Sequence, residues 1–299
     1  MSSDSSSPRQ TLSYLRQLFE ERSIRPKNKL GQNFLIDLNL LDFLVRSAEL
    51  TSEDAVLEVG SGTGSLTTRL VASAGAVLSV ELDSAFAALT REIVGDRPNF
   101  RLIQADVLHN KNELNPEVLS ALEELRSRPG IARLKLVANL PYAVATPVIS
   151  NFLLSEVVFE RMVVTVQWEI AERLMAMPGT KDYGALAVLV QSVADVAILR
   201  RLPPAVFFPR PQVASAIVKV TPSAAKRAEV GDVPRFRNFL RDLYTHRRKN
   251  LRAALVSLPE KKFDKEQVDR KLAELNLEPT VRAEALDLAT HRRLSETFG

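Results

Sequence analysis

Asn139-Leu140-Pro141-Tyr142 ends an apolar run in a way that a buried strand does not require. Pro141 has no N–H to give to a ladder, so it closes the strand that starts at Leu134. Asn139, held just before that stop, offers a side-chain carbonyl, and the main-chain carbonyl of Leu140 offers a second acceptor beside it. Two acceptors in fixed geometry suit an exocyclic amino group, which has two N–H donors. Tyr142 adds a ring on which a flat base can stack. The tetrapeptide equally fits a plain turn, so its weight depends on what lies next to it.

A second group of residues could share that place. Glu58-Val59-Gly60-Ser61-Gly62-Thr63-Gly64 follows an apolar run and precedes a helical pattern. Glycines there let the backbone turn sharply and approach a ligand. The spacing is G-x-G-x-G, not the G-x-G-x-x-G of dinucleotide enzymes, and no Gly-Lys-Ser/Thr for triphosphate follows. A tight strand-to-helix turn without ligand also fits the glycines alone. Glu81 stands about twenty residues further on at the end of the next apolar run, where a carboxylate can accept both hydroxyls of a ribose. Asp106 ends the third run in the same way. Three consecutive strands with acidic or glycine termini on one edge are hard to explain as solvated loops.

Positioning these residues requires a sheet whose strands end together. Apolar runs at Ala55–Gly60, Ala76–Leu82, Phe100–Asp106, Leu134–Asn139 and Arg161–Gln167 alternate with helical patterns. This predicts a parallel sheet covered on both faces, an α/β fold. Asp195–Leu202 and Ser215–Val220, joined by Pro-rich PPAVFFPRPQV, predict two further strands. Ahead of the sheet, Leu12, Leu15, Leu18 and Phe19 mark one face of a short helix. The basic loop RPKNKLGQNFLID then leads to a second helix capped by Asp37. Past Pro222 the pattern is helical: residues 223–299 hold 17 Lys and Arg against 12 Asp and Glu, a net of +5 where the whole chain is +4. The reading is therefore a tail and helix over 1–24, a catalytic domain over 25–222 and a small all-α domain over 223–299, whose excess positive charge is the kind that nucleic acid attracts.

Composition narrows the chemistry. The chain has 299 residues, 45% hydrophobic and 25% charged, an ordinary globular balance. It has no cysteine, which excludes disulfides, a thiolate nucleophile and Cys-dependent methyl transfer to cytosine carbon, and fits a reducing cytoplasm. His109, His246 and His291 stand far apart without metal-ligand spacing, so no metal is expected and each reads as a surface or helix-end residue. The Ser-rich first ten residues read as a disordered tail and not a signal peptide, and no stretch has the length of a membrane span. A soluble, monomeric, cytoplasmic protein is expected.

GQNFL at Gly31–Leu35, LEVGSGTG, Glu81, Ala105-Asp106, NLPY at Asn139–Tyr142, YGALAVLVQ, FFPRPQVASA and HRRKNLR together resemble the ribosomal RNA adenine dimethyltransferases that modify small-subunit RNA. The likeness runs from about Pro26 to the C-terminus. It implies a Rossmann-like S-adenosylmethionine-dependent methyltransferase sheet. It also implies cofactor contacts from Asn33, Leu35, Gly60, Gly62, Glu81, Asp106 and Asn139, and catalytic roles for Asn139, Leu140 and Tyr142, with Phe207 as a second stacking aromatic opposite Tyr142. Residue chemistry alone reads the apolar island around Leu35 as an anchor for the N-terminal arm. The implied substrate is a pair of adjacent adenosines in a hairpin loop near the 3′ end of small-subunit RNA, within a ribosome assembly particle. Arg247, Arg248, Lys249 and Arg252 are the candidate phosphate contacts on a helix end, although a solvated charge run has the same composition. Ala143 and Ala145 depart from the family, which usually has a polar residue after NLPY. Alternatives are a methyltransferase of large-subunit RNA adenine, one of DNA adenine or glutamine amide, and a non-catalytic assembly factor.

Overall fold

The computed structural model describes residues 12–259 and 263–299, so the Ser-rich tail lies outside the described residues. Seven strands form the main sheet: β1 (Asp54–Val59), β2 (Ala76–Val80), β3 (Phe100–Ile103), β4 (Arg133–Asn139), β5 (Arg161–Gln167), β6 (Ala194–Leu202) and β7 (Ser215–Pro222). Their order is β3-β2-β1-β4-β5-β7-β6. The first five run parallel, and β7 is inserted antiparallel to β5. The order reverses between β1 and β4, which is where an open α/β sheet leaves a crevice at its carboxyl edge.

Every residue of β1 and β2 is buried, the signature of strands covered on both faces. On one face Val56, Val77, Val137 and Val163 pack with Leu41, Leu44, Leu66 and Leu70 from helices Leu38–Ser47 and Ser65–Ser73. Helix Pro116–Arg126, which buries Val118, Leu122 and Leu125, packs against β1 and β2. Each such side chain contributes about 1.5–3 kcal/mol by leaving water. Asp37 caps its helix as expected, accepting from the N–H groups of Asn39 and Leu40. Leu15, Leu18 and Phe19 of helix Leu12–Glu21 bury against Phe34, Phe86 and Leu89, so Phe34 of the basic loop anchors the N-terminal arm, whereas Leu35 packs in the other core cluster with Leu41 and Leu44.

The amino edge of the sheet is pinned by charge. Lys135 Nζ lies 3.1 Å from Asp54 Oδ2 and donates to the Glu49 carbonyl at 2.8 Å, while Arg133 Nε donates to Asp54 Oδ1 at 2.7 Å. Both Asp54 and Lys135 are buried. Burial opposes ionisation of Asp54, but hydrogen bonds from Arg133, the Thr51 N–H and Lys135 outweigh it and hold its carboxyl below the usual range. The pair clips the starts of β1 and β4 in the register Ala55↔Leu134.

Two compact units emerge: residues up to Ala171 with Ala197–Thr221, and Glu172–Val196 with Pro222–Gly299. The second unit thus takes in a segment, 172–196, that the sequence pattern assigns to the catalytic part. The reason is local: helix Ala185–Gln191 packs on helices Val233–Thr245 and Leu288–Phe298. His291 is not at the surface but fully buried in this unit. Its Nδ1–H donates to the Asp287 carbonyl at 2.8 Å, Nε2 accepts from the Tyr244 hydroxyl at 3.1 Å, and burial lowers its pKa. Among the described residues no helix is long and apolar enough to cross a membrane.

Replacing Lys135 by Met leaves the Asp54 carboxylate buried beside a single cation. The variant is expected to lose about 3–5 kcal/mol, the scale for removing one partner of a buried pair. Denaturant titration reads this directly; a loss below about 1 kcal/mol would show that Arg133 alone satisfies Asp54.

Candidate functional site

A cavity of about 260 Å³ opens at the carboxyl edge, lined by the ends of β1, β2 and β4, the loop after β3 and the basic loop of residues 29–34. Asn33, Gly60, Gly62, Glu81, Asp106 and Asn139 all line it, so six of the expected cofactor contacts converge although up to 106 positions separate them. Leu35 lies beside them: its side chain is buried in the core and lines a small adjoining recess with Gly60, Gly62 and Asn139.

The glycine loop owes its residue types to the protein's own packing. Gly60 has φ +81°, and a Cβ there would stand 3.0 Å from the Pro141 ring; Gly62 has φ +53°, and a Cβ would meet the Phe34 ring at 2.8 Å. Only glycine accepts both the left-handed backbone and the close neighbour. Pro141, read from sequence as a strand stop, is therefore also the wall against which the loop closes.

Glu81 is buried, its Oε2 accepting from the Gly62 N–H and its Oε1 from the Asp83 N–H, both at 2.9 Å. Burial raises its pKa despite these bonds. Each oxygen retains a lone pair for a ligand hydroxyl. Asp106 holds the Leu108 N–H through Oδ1 at 2.9 Å. Lys27 pairs with buried Asp83 at 2.7 Å and Gln32 reaches the same carboxylate at 3.4 Å, which ties the basic loop to the helix that follows β2.

Asn139 is oriented on both sides. Its Nδ2 donates to the Asn33 carbonyl at 2.8 Å and its Oδ1 accepts from the hydroxyl of Thr165, its register partner on β5. One lone pair of the Asn139 side-chain carbonyl is therefore engaged, and one remains for a ligand. Leu140 is buried, and among the described residues its carbonyl accepts no hydrogen bond. Tyr142 is half-buried, not freely exposed, with its hydroxyl 2.5 Å from Ser215 Oγ. Phe207 is the clearest departure. It is 2% exposed, paired across strands with Leu35 and packed in the core, and so presents no open face opposite Tyr142. Adjacent strand residues point to opposite faces, and here the neighbour Phe208 takes the other side, against Phe19.

Thr165 was hidden in sequence because a lone Thr within RMVVTVQ looks like an ordinary strand residue; only its register with Asn139 reveals the role. Glu58 is the other residue that sequence leaves without a function. It is fully buried beneath the glycine loop, with Ser79 and Thr67 hydroxyls on Oε2 and no partner on Oε1 among the described residues. Burial pushes its pKa up to about 7, against those two hydrogen bonds, and nearby Glu81 adds to the rise.

The candidate RNA cations separate. His246 to Lys249 form a turn between helices Val233–Thr245 and Leu251–Val256, not one face of a helix end. Arg247 pairs with Glu284 at 2.8 Å and Arg252 with Asp269, whereas Arg248 is exposed and, among the described residues, the Lys249 side chain reaches only Ser257. No cluster of three or more metal-ligating side chains occurs among the described residues.

The strand order with its antiparallel β7, together with a glycine loop and acidic strand ends around one crevice, defines a Rossmann-like S-adenosylmethionine-dependent methyltransferase. The family model for ribosomal RNA adenine dimethylase matches residues 24–289, and the chain belongs to that family. It is 37% identical over 94% of its length to the "Ribosomal RNA small subunit methyltransferase A" of Halothermothrix orenii, covering 91% of that protein. It is 39% identical over 91% of its length to the protein of the same name from Pediococcus pentosaceus, covering 89% of it. The crystal structure of a dimethyladenosine transferase from Plasmodium falciparum shares the fold, with a TM-score of 0.68 at 24% identity, over 87% of this chain and 95% of that one.

The raised pKa of Glu58 has a defined sign. Between the ordinary carboxyl value of 4.5 and about 7 the folded chain keeps a proton that the unfolded chain releases. The stabilisation is complete below 4.5 and lost as pH rises through about 7. Thermal unfolding should therefore fall between pH 5 and pH 8, and fall less in Glu58→Gln; parallel slopes would mean that Glu58 is ionised in the fold.

Proposed function

We propose that this protein transfers two methyl groups from S-adenosylmethionine to the exocyclic nitrogen of each of two adjacent adenosines. The target pair lies in a hairpin loop near the 3′ end of small-subunit ribosomal RNA, within a ribosome assembly particle. The observation that carries the reading is Asn139: its amide, oriented by Thr165 and Asn33, stands on the wall of the crevice, and the next main-chain carbonyl, that of Leu140, accepts no hydrogen bond among the described residues. The names of the relatives support the small subunit over the large as the substrate.

The residues present fit the cofactor. Glu81 suits ribose hydroxyls because both its oxygens are already aimed by backbone N–H groups, and Asp106 offers an acceptor to a purine amino group. Leu82 and Val107 supply apolar walls for a flat base. When bound, S-adenosylmethionine supplies an electrophilic methyl group.

The chain's own residues handle the nucleophile. An adenine amino nitrogen is a poor one because its lone pair is delocalised into the ring. Asn139 Oδ1, through its remaining lone pair, and the Leu140 carbonyl accept the two N–H bonds and favour a pyramidal nitrogen, so positioning and electrostatics supply most of the rate. Both acceptors are held before the base arrives, so little reorganisation is needed. The target leaves its stack and lies against Tyr142, whose ring is fixed through Ser215. Phe207 acts from behind, by packing on Leu35.

The direct test is incubation with labelled S-adenosylmethionine and assembly-stage small subunits, followed by mapping of the methylated nucleosides; label in large-subunit RNA, or none, would refute the reading. Asn139→Ala is expected to keep the fold and to slow methyl transfer by about a hundredfold or more, the scale for losing one preorganised polar contact. Arg248→Ala with Lys249→Ala is expected to weaken particle binding and flatten its salt dependence by up to about 0.7–0.9 in slope per lost phosphate contact, with cofactor affinity retained. An unchanged slope would assign this turn to the protein surface alone.

A further inference from the structure

The edge strand of the sheet carries a cation that neither the motifs nor the comparisons account for. The guanidinium of Arg201 lies 4.4 Å from the ring centre of Trp168, the only tryptophan in the chain. Arg201 is exposed on β6, the edge strand of the sheet, and among the described residues it pairs with no carboxylate. Its neighbour Arg200 turns to the other side and lies over Phe43, as alternation along a strand requires. A chain of contacts links the Trp168–Arg201 pair to Tyr142, which directly follows the crevice residue Pro141. Tyr142 is hydrogen-bonded to Ser215, Ser215 pairs in register with Gln167, and the main-chain N–H of the next residue, Trp168, donates to the carbonyl of Ala214 at 2.9 Å.

Resting on the function proposed above, we propose that Arg201, laid flat on Trp168, binds a backbone phosphate of the RNA strand that flanks the target adenosine. A guanidinium stacked on an aromatic face loses little freedom on binding and still presents its N–H edge, which matches the geometry of phosphate oxygens. A flipped base against Tyr142 draws its own strand across the adjacent surface, and a phosphate one or more nucleotides away needs a donor there. The indole ring supplies the fixed platform and Arg201 the charge. The competing role for such a residue is that of a charge that keeps a sheet edge from pairing with another chain.

The experiment is methylation of assembly-stage small subunits over a range of salt by the wild-type chain, Arg201→Gln and Trp168→Leu, with cofactor affinity measured alongside. Arg201→Gln is expected to raise KM for the particle about tenfold, keep kcat at saturating particle and keep cofactor affinity. The salt slope of kcat/KM should fall by about 0.7, the value for one contact to a single strand. Trp168→Leu keeps the charge but removes the platform and should raise KM by a smaller factor in the same direction. If the wild type methylates the particles and Arg201→Gln shows the same KM and salt slope, Arg201 only guards the sheet edge and the proposal is overturned while the function stands. If the wild type transfers no methyl group to the particles, the function itself fails and the phosphate site fails with it.

Discussion

The pairing of β1 with β4 is the constraint on which the site depends. These parallel strands are joined at the point where the strand order reverses, so their carboxyl ends splay helices to opposite faces and leave the crevice between Gly60 and Asn139. Their register is set at the far edge, where buried Asp54 and Lys135 meet across the two strands. A slip by one residue would turn Asn139 to the opposite face of the sheet and separate it from Thr165. A charged pair at one edge thus holds a side-chain amide in place at the other.

The crevice itself is a set of polar groups satisfied by one another before any ligand arrives. Glu81 binds the backbone of the glycine loop and of the turn after β2, Asn139 joins β5 to the basic loop, and Asp83 gathers Lys27 and Gln32. Preorganisation of this kind lowers the cost of ordering side chains on binding. Glu58, fully buried beneath the glycine loop, keeps one oxygen without a partner among the described residues, and its raised pKa expresses the cost of charge without water. Two buried carboxyl groups stand near one another here, and their pKa values rise for the same reason, burial.

Positive charge is divided by the fold in a way composition conceals. The C-terminal excess includes cations that hold the second unit together, Arg247 on Glu284 and Arg252 on Asp269, and others that face water, such as Arg248. In the first unit, Arg201 on Trp168 is a cation stacked on an aromatic platform and not an ion pair. Counting Lys and Arg along a segment therefore overstates the phosphate contacts it can make, because a guanidinium committed to a carboxylate has less to offer an anion.

The sequence by itself determined the strands and what ends them. Near-continuous apolar runs admit only a sheet covered on both faces, β5 coincides with its run from Arg161 to Gln167, and Pro141 stops β4 because it lacks an N–H. Glycine, acidic and amide residues at strand ends mark an edge because such residues are misplaced in a core. Side-chain commitments across the sheet were beyond its reach. Thr165 becomes a partner of Asn139 only through inter-strand register, and Leu35 and Phe207 become neighbours only when chain segments far apart in sequence pair in a two-residue ladder. The same limit explains why 172–196 falls with the second unit, and why the stacking role that the family resemblance implied for Phe207 gives way to core packing. Burial and partnership are properties of contacts between distant segments, and local pattern carries only the periodicity of each segment on its own.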